Sequence, residues 1–335
     1  MKVVITGGAG FLGLRLARKL LHRGTLQDGD GRDRRIEQIV LVDVTAPPAI
    51  ADARVSALVG DISDPALLNA VVDADTAAIF HLAAIVSGMA EADFDLGIRI
   101  NVDATRHLLE QCRRGGRSPR VVFTSSIAVY GGDLPDIISE TTALNPQTSY
   151  GVQKAIGELL IGDYTRKGFI DGRALRLPTI TVRPGRPNAA ASSFASGIVR
   201  EPLNGEDAVC PVGPDTRVWL ASPDTAIDSL IAGHQLPSAA LGNCRWVNVP
   251  GLSVTAGEMV AALERVAGPE VAKRVRWAPD PRIERMMRGW PGAGNNSRAL
   301  ALGFPADESF DAIIRRYMED LARIPSHGRA RNDTE

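Results

Sequence analysis

The sequence predicts an α/β fold in which a doubly wound parallel sheet is followed by a smaller, partly discontinuous C-terminal domain. Short β-branched runs alternate with amphipathic stretches, and each run is apolar throughout instead of alternating with polar residues. Strands of that kind are typical of a parallel sheet that helices cover on both faces. The proline-punctuated segments after residue 178 lack a sustained period, which predicts the second domain.

The large domain is predicted over residues 1–178. Its predicted strands are KVVIT, QIVLVDV, VSALVGD, AAIFHLAA and RVVFTSS, and its predicted helices cover 13–22, 101–113 and 150–165. A helix between successive strands lets each new strand join the sheet in parallel. The segment RGTLQDGDGRDRRIEQ, residues 23–38, is predicted to be a polar loop inserted before the second strand.

The smaller domain, predicted over 179–323, is expected to bind the substrate. Within it, a strand in RWVNVPG and a helix in TAGEMVAALERVAG, near 246–267, are expected to return to the large domain. Thr255 and Glu258 have the spacing of a capping box at the start of that helix. The polar segment 324–335 has no periodic apolar face and is predicted to be a flexible tail.

Composition favours a small-molecule enzyme over a nucleic-acid or membrane-surface protein. The 335 residues contain 38 Lys and Arg against 39 Asp and Glu, a formal net charge of −1. The three cysteines are widely spaced and form no metal-ligand cluster, so we expect a reducing compartment and no metal ion. Since no apolar segment resembles a signal peptide or a membrane span, a cytoplasmic protein is expected.

A glycine loop connects the first predicted strand to the first predicted helix. Gly7, Gly10 and Gly13 follow a strand that ends at Thr6 and precede an apolar helix face. Glycines with the spacing G-x-x-G-x-x-G let the backbone approach a pyrophosphate, which the N terminus of the helix stabilises. The pattern predicts dinucleotide binding on a Rossmann-type sheet, with a purely structural turn as the alternative.

Two acidic residues at strand ends are candidate ligands of the adenosine half of that dinucleotide. Asp43 ends the strand IVLVDV, where a carboxylate would accept hydrogen bonds from ribose hydroxyls and disfavour the 2′-phosphate of NADP, so NAD is the expected cofactor. Asp61 in GDISD could accept from the adenine amino group, with Ile62 against the ring. The alternatives are a turn residue for Asp43 and helix capping for Asp61, a role for which Asp64 competes.

A serine, a tyrosine and a lysine form the candidate catalytic set. Tyr150 and Lys154 lie four residues apart, so on a helix they share one face. A tyrosine that acts as a base near neutral pH needs its phenolate favoured by about 3 to 4 kcal/mol, and a neighbouring ammonium can supply much of that free energy. Ser126 ends the strand RVVFTSS, where parallel sheets bind ligands, and could hydrogen-bond the reacting oxygen. The alternative for this serine is a solvated strand end.

With these motifs in this order, the sequence resembles the extended short-chain dehydrogenase/reductase family over nearly the whole chain. The glycine loop, GDISD, HLAA, SSIAVYG and YGVQK stand in that family's order. The resemblance implies Ser126 as the catalytic serine, Tyr150 as the acid/base and Lys154 as the lysine that binds the cofactor ribose. It also implies a homodimer through the helices 101–113 and 150–165, with simple packing on the sheet as the alternative.

The motifs and the resemblance together define the expected NAD site. Asn101 is expected to support the helix that carries Tyr150. The expected cofactor contacts are Gly7, Gly10, Phe11, Leu12, Gly13, Asp43, Asp61, Ile62, Leu82, Ala83, Ala84, Asn101, Tyr150, Lys154, Pro178 and Thr179.

The C-terminal half is similar to the branch of that family that dehydrogenates small sugar acids. On that similarity we expect NAD-dependent oxidation of the C2 hydroxyl of D-erythronate. Arg183 offers a forked donor for the carboxylate, with a surface ion pair as its alternative role and Arg186 and Arg200 as less favoured candidates. Alternative functions are a nucleotide-sugar 4-epimerase, an L-threonine 3-dehydrogenase and an NAD-sensing binding protein. The expected substrate contacts are Ser87, Ser126, Tyr150, Thr179, Arg183, Asn188 and Ser193.

Overall fold

The computed structural model describes residues 1–185 and 191–323. The strands in these residues are β1 (Lys2–Thr6), β2 (Thr25–Gln27), β3 (Asp33–Arg35), β4 (Gln38–Asp43), β5 (Val55–Val59), β6 (Thr76–His81), β7 (Arg120–Ser126), β8 (Asp171–Leu177), β9 (Thr179–Ile180), β10 (Ala208–Cys210), β11 (Arg217–Ala221), β12 (Trp246–Asn248), β13 (Leu252–Thr255) and β14 (Val275–Trp277). The predicted tail, 324–335, lies outside the described residues.

The helices run between these strands and on both sides of them. They are α1 (Phe11–Arg23), α2 (Pro65–Val71), α3 (Ser87–Ala92), α4 (Phe94–Gly97), α5 (Ala104–Gly115), α6 (Ser149–Arg166), α7 (Phe194–Leu203), α8 (Pro223–Gln235), α9 (Ser238–Leu241), α10 (Ala256–Ala267), α11 (Pro269–Ala272), α12 (Pro281–Arg288), α13 (Ser297–Ala301) and α14 (Phe310–Ala322). A π-helical segment, Ile98–Asp103, leads into α5. Single 3₁₀ turns cover Ile127–Val129 and Ala191–Ser193.

The large domain is a seven-stranded parallel sheet in the order β12-β8-β7-β6-β1-β4-β5. Val3, Val4 and Ile5 of β1 are fully buried, because helices cover both faces of the sheet. On one face α1 and α8 pack with the sheet in one apolar core, and on the other face α2, α5 and α6 pack in a second. The predicted doubly wound α/β fold is confirmed.

The smaller domain has a core of its own. Apolar side chains of α7, α10 and α14 pack there against β11, including Ile198, Met259, Ile314 and Leu220. β13, β11 and β9 form a three-stranded sheet, and β10 pairs with β14.

Of the strand and helix predicted to return to the large domain, the strand does so and the helix does not. Trp246–Asn248 adds to the edge of the large sheet, parallel to β8. The helix after it, Ala256–Ala267, does not return, because its apolar residues Met259 and Leu263 lie in the smaller core. A helix of this half that does pack on the large sheet is Pro223–Gln235, which is not predicted from the sequence. Thr255 and Glu258 form the predicted capping box.

The polar insertion after α1 also differs from the prediction. It contains a short antiparallel hairpin of β2 and β3 instead of a loop. Leu26 and Ile36, two apolar residues in the polar segment, are fully buried in the core beneath α1. Their burial attaches the hairpin to the domain, since an isolated two-stranded hairpin has little stability in water.

The described residues include no helix that combines the length and the apolar character needed to cross a bilayer. Their three cysteines are free thiols, with Cys112 and Cys210 buried and Cys244 partly buried.

Candidate active site

The carboxyl ends of the large sheet and the start of the smaller domain enclose a cavity of about 370 Å³. Parallel sheets bind ligands at this edge, because the strand ends and helix N termini converge there. The predicted residues that line the cavity are Gly7, Gly10, Phe11, Leu12, Gly13, Leu82, Ala84, Ser87, Ser126, Tyr150, Lys154, Pro178, Thr179, Arg183 and Ser193. One cavity therefore unites the glycine loop with the Tyr-Lys pair.

The glycine loop is shaped to hold a pyrophosphate. A side chain at Gly13 would place its Cβ 2.2 Å from the carbonyl oxygen of Gly7, so the turn from β1 into α1 requires glycine there. Within the described residues no side chain caps α1 at Gly10, and Phe11, Leu12 and Gly13 line the cavity. The N–H groups of the first turn of α1 are therefore available to an anion, and NAD fits this loop.

Asp43 stands beside the same loop. Its Oδ2 accepts a hydrogen bond from the backbone N–H of Ala9 at 3.0 Å, and its Oδ1 accepts from Thr45. The carboxylate at the end of β4 is thus held against the loop that follows β1. It is only partly buried, which leaves it accessible to a ribose hydroxyl.

Other predicted cofactor residues lie outside the cavity lining. Asp61 accepts hydrogen bonds from Ser63 and from Arg99, which lies 3.1 Å away, while Asp64 caps α2. The capping alternative therefore applies to Asp64 and not to Asp61. Ile62 is buried in the apolar core on the α2 face of the sheet, so little of its side chain is exposed to contact an adenine ring.

Asn101 is hydrogen-bonded to the helix that carries the tyrosine. Its side-chain nitrogen donates to Gln153 Oε1 of α6 at 2.7 Å, and its side chain exchanges two hydrogen bonds with the backbone of Ile85. Asn101 thus joins α6 to the segment that contains Leu82, Ala83 and Ala84. Ala83 is also bound to β1, since its backbone N–H donates to Thr6 Oγ1 at 3.2 Å.

The first turn of α6 lies against the end of β7. Thr148 caps the helix by accepting from Gly151 N–H, and Glu91 accepts from Ser149 N–H at 2.9 Å. A Cβ at Gly151 would lie 2.2 Å from the carbonyl oxygen of Ala128, so only glycine permits this approach. The close packing brings Tyr150 to Ser126.

Tyr150 and Ser126 line the cavity together, and Ser126 acts on the phenol as a hydrogen-bond donor that lowers its pKa. Ser126 Oγ also accepts from the N–H of Ala128 at 3.1 Å, which leaves its own hydrogen free to be donated. Burial raises the pKa of Tyr150 to about 12, although the hydrogen bond from Ser126 and the positive charge of Arg183 act to lower it. Arg183 is one cation that favours the phenolate, and the ammonium of Lys154, the cation expected from the sequence, lies 5.7 Å from the ring centroid of Tyr150.

Lys154 points to the strand beneath the tyrosine. Its ammonium donates to the carbonyl oxygen of Thr124 at 2.8 Å and lies 4.7 Å from the ring centroid of Phe123 and 5.7 Å from that of Tyr150. Burial lowers the pKa of Lys154 to about 7, against the opposing negative charge of Glu158. Lys154 also lines the cavity, so an acceptor bound there could hydrogen-bond its amine.

A buried ionic network supports these residues from behind. Glu158 pairs with Arg176 at 2.5 Å, and both side chains are buried. The same carboxylate accepts from Ser125, and Arg176 donates to the hydroxyl of Tyr130. Each charge in the network has a partner, which is the condition for burying charges in a protein core.

Two guanidinium groups line the part of the cavity that belongs to the smaller domain. Burial and the neighbouring charge of Arg200 lower the pKa of Arg183. Arg200 is already engaged, since it donates to the carbonyl oxygen of Arg183 at 2.8 Å and to Glu201. Asn188 and Arg186, two of the predicted candidates, lie outside the described residues.

Sequence and structure comparisons identify related proteins. The family model described as NAD dependent epimerase/dehydratase family matches residues 3–232. The chain belongs to this family. A D-erythronate dehydrogenase from Cupriavidus necator is 62% identical over 96% of this chain and 98% of its own length. Another, from Haemophilus influenzae, is 47% identical over 95% of this chain and 99% of its own.

A solved structure of similar shape carries a different description. It is the nucleoside-diphosphate-sugar epimerase from Agrobacterium tumefaciens, with a TM-score of 0.91 and 46% identity, covering 96% of this chain and 94% of its own. The predicted family, an enzyme of the oxidoreductase class and NAD as cofactor are confirmed by membership in the NAD dependent epimerase/dehydratase family and by the named relatives.

Several residues that line the cavity are not predicted from the sequence. Most of them lie within two residues of a predicted one along the chain; these are Val86, Thr124, Ser125, Ile127, Leu177, Ile180, Pro184 and Ser192. Those at or next to strand ends, Thr124, Ser125, Ile127, Leu177 and Ile180, could have been found from that position. Trp290 is different, because it comes from the segment after α12, far along the chain. Its one signal in the sequence is a large aromatic residue between Gly289 and Pro291.

Proposed function

We propose that the chain is an NAD-dependent dehydrogenase that oxidises the C2 hydroxyl of D-erythronate to 2-oxo-D-erythronate. The observation that carries this proposal is the cavity in which Tyr150, Ser126 and Arg183 lie together beside the glycine loop. A base next to a guanidinium suits a substrate that has a hydroxyl beside a carboxylate. The similarity to dehydrogenases of D-erythronate supports the same substrate.

The residues of the site divide the work as follows. Tyr150 accepts the proton of the C2 hydroxyl, and Ser126 donates a hydrogen bond to the oxygen that becomes the carbonyl. NAD, when bound, accepts the hydride from C2. Lys154 holds the cofactor ribose, Asp43 accepts from the adenosine ribose, and the glycine loop and the first turn of α1 hold the pyrophosphate.

Arg183 is the proposed carboxylate-binding residue. A guanidinium can donate two parallel hydrogen bonds to a carboxylate, which fixes both the position and the rotation of a small acid. Arg200 is the weaker candidate, because its donors are engaged with the backbone of Arg183 and with Glu201. Ser87, Thr179 and Ser193 remain as candidate partners for the hydroxyls of the substrate.

A nucleotide-sugar epimerase is the second candidate function. The description of the Agrobacterium tumefaciens relative favours it, and so does a second cavity of about 1390 Å³ beside the first. An epimerase would return the hydride to its own intermediate and release no net NADH. The two functions therefore differ in a measurable product.

The deciding experiment is an incubation of the purified protein with free NAD and one candidate substrate at a time. Formation of NADH in proportion to D-erythronate consumed supports the proposal. Interconversion of UDP-sugars without net NADH would establish the epimerase instead, and NADH from L-threonine would establish a threonine dehydrogenase. Binding of NAD without turnover of any substrate would indicate a sensing protein. The Tyr150→Phe variant is the control for catalysis at this site.

We extend the proposal to a cytoplasmic homodimer formed through α5 and α6. One face of each helix packs on the sheet through Leu108 and Ile161, while Val152 and Leu159 of α6 are exposed. Exposed apolar side chains on a helix that is already packed on its other face suit an interface between two copies. The free thiols are compatible with a reducing compartment.

The dimer is tested by sedimentation of wild type and Leu159→Glu at equal concentration. Wild type is expected at twice the mass of one chain, and the variant is expected to dissociate, because a carboxylate would lose its water in the interface. A wild-type protein with the mass of one chain would exclude the dimer. Cell fractionation tests the compartment.

A further inference from the structure

Two neighbouring cavities share a small number of lining residues among those that the structure describes. The reaction cavity of about 370 Å³ and the neighbouring cavity of about 1390 Å³ share Ser87, Ser193 and Trp290 as lining residues. Two of the three are small serines on opposite domains. Among the described residues that line both cavities, the indole of Trp290 is therefore the one large group.

Hydrogen bonds fix the backbone on both sides of Trp290. On its N-terminal side Trp290 N–H donates to the carbonyl oxygen of Met287 at 3.1 Å, and Met287 is buried in the smaller core. On its C-terminal side Ser253 Oγ donates to Gly292 at 2.7 Å. The residues that follow Gly292 are bound to Ile138, whose backbone N–H donates to Ala293 and whose carbonyl oxygen accepts from Asn295.

The difference in volume between the two cavities makes the position of Trp290 important for the length of the substrate. The reaction cavity is lined by the glycine loop and by Tyr150, so its 370 Å³ must receive the reactive part of NAD as well as the acid. What remains suits a short substrate. The neighbouring cavity is much larger, and its lining offers Arg285 as a donor and Glu91 and Glu201 as acceptors, groups that can bind the hydroxyls of a longer sugar acid.

We infer that Trp290 sets the upper limit on the carbon chain of the acid that the site accepts. The inference rests on the proposed function. The carboxylate end of the acid is fixed at Arg183, and C2 is fixed at Tyr150, so additional carbons must extend away from both. Trp290 closes the way into the larger cavity, and its removal opens that way to acids of five or six carbons.

The experiment compares kcat/KM for D-erythronate, D-ribonate and D-allonate, which have four, five and six carbons and the same Fischer configuration at C2 and C3. Wild type is expected to prefer D-erythronate. In Trp290→Ala the ratio of kcat/KM for D-allonate to that for D-erythronate is expected to rise at least about tenfold, the usual scale for a methylene-sized change in a pocket. Trp290→Phe, which keeps an aromatic wall, is expected to stay near the wild-type ratio.

Trp277→Ala is the matched control, because Trp277 is a tryptophan of the smaller domain that lines neither cavity. An unchanged ratio in a Trp290→Ala protein that oxidises D-erythronate would overturn the inference, and so would a wild type that uses D-allonate as well as D-erythronate. A wild type that oxidises no sugar acid overturns the proposed function as well. If Trp290→Ala does not fold, Trp290→Leu gives the same comparison with more apolar packing kept.

Discussion

At the scale of single residues, burial and neighbouring groups have opposite effects on the pKa of Tyr150. Burial alone raises the pKa of Tyr150, and the groups that oppose this effect are Ser126 and Arg183. In Tyr150→Phe the proton acceptor is lost while the glycine loop and Asp43 remain. We expect NAD to bind nearly as in wild type and kcat to fall at least about a hundredfold. Fluorescence titration with NADH and steady-state kinetics check the two parts, and near wild-type turnover would remove Tyr150 from the mechanism.

Arg183 can be tested by a change that keeps the charge and removes the fork. In Arg183→Lys the acid loses one of two parallel hydrogen bonds, so we expect kcat/KM for D-erythronate to fall by the equivalent of about 2 kcal/mol. Erythritol, the uncharged polyol, is expected to be a poor substrate of both proteins and to be affected little. Equal losses on the two compounds, or none, would show that Arg183 does not read the carboxylate, and Arg200 would then be the next candidate.

At the scale of elements, the catalytic arrangement depends on how closely α6 approaches β7. In Gly151→Ala the new Cβ would lie 2.2 Å from a backbone oxygen, so the first turn of α6 must move and carry Tyr150 away from Ser126. We expect activity to fall more than tenfold and the free energy of unfolding to fall by about 1 to 3 kcal/mol. Urea unfolding and NADH formation measure both.

The same helix supplies the matched control for that variant. Gly162 lies within α6 and has open space where a Cβ would be, so Gly162→Ala is expected to raise the free energy of unfolding by about 0.5 to 1 kcal/mol and to leave activity unchanged. If the two variants behaved alike, close packing at residue 151 would not be what positions Tyr150.

The elements that the sequence predicts well are those whose signal is local. The glycine loop, the end of β7 and the Tyr-Lys helix are each recognisable from neighbouring residues, and the structure brings them to one cavity. The pattern of α10 shows that it has an apolar face but not which of two cores receives that face. Trp290 reaches the cavity only through the tertiary path of the segment after α12, which no periodicity encodes.

At the scale of the whole molecule, the site lies between two cores, so its geometry depends on how the domains are joined. Arg15 of α1 pairs with Asp224 of α8 at 2.8 Å and with Asp320 of α14, which belongs to the smaller core. These side chains are partly exposed, and such pairs contribute little stability each. The stronger connection is the chain itself, because β12 and α8 lie in the large domain between segments of the smaller one.

Acid sensitivity of the whole fold follows from two buried imidazoles. His81 lies between Thr6 and Thr105, and burial lowers its pKa to about 3. His234 is fully buried against the ring of Phe80, and among the described residues neither of its ring nitrogens has a hydrogen-bond partner. Burial, together with the charges of Arg120, Arg173 and Arg23, lowers the pKa of His234 well below its ordinary value.

The sign of the pH effect follows from which state binds the proton. Above pH of about 6.5 a histidine is neutral in both the folded and the unfolded chain, and below it only the unfolded chain takes up a proton at His234. Each such histidine should therefore lower the free energy of unfolding by about 2 kcal/mol between pH 7 and pH 5.

The variant His234→Leu tests this effect, because it removes one of the two contributions. Urea unfolding from pH 5 to 8 should give a shallower acid loss for His234→Leu than for wild type, while the exposed His22→Gln serves as the control for losing a histidine. A variant that loses stability as steeply as wild type would show that His234 takes up its proton in the folded protein.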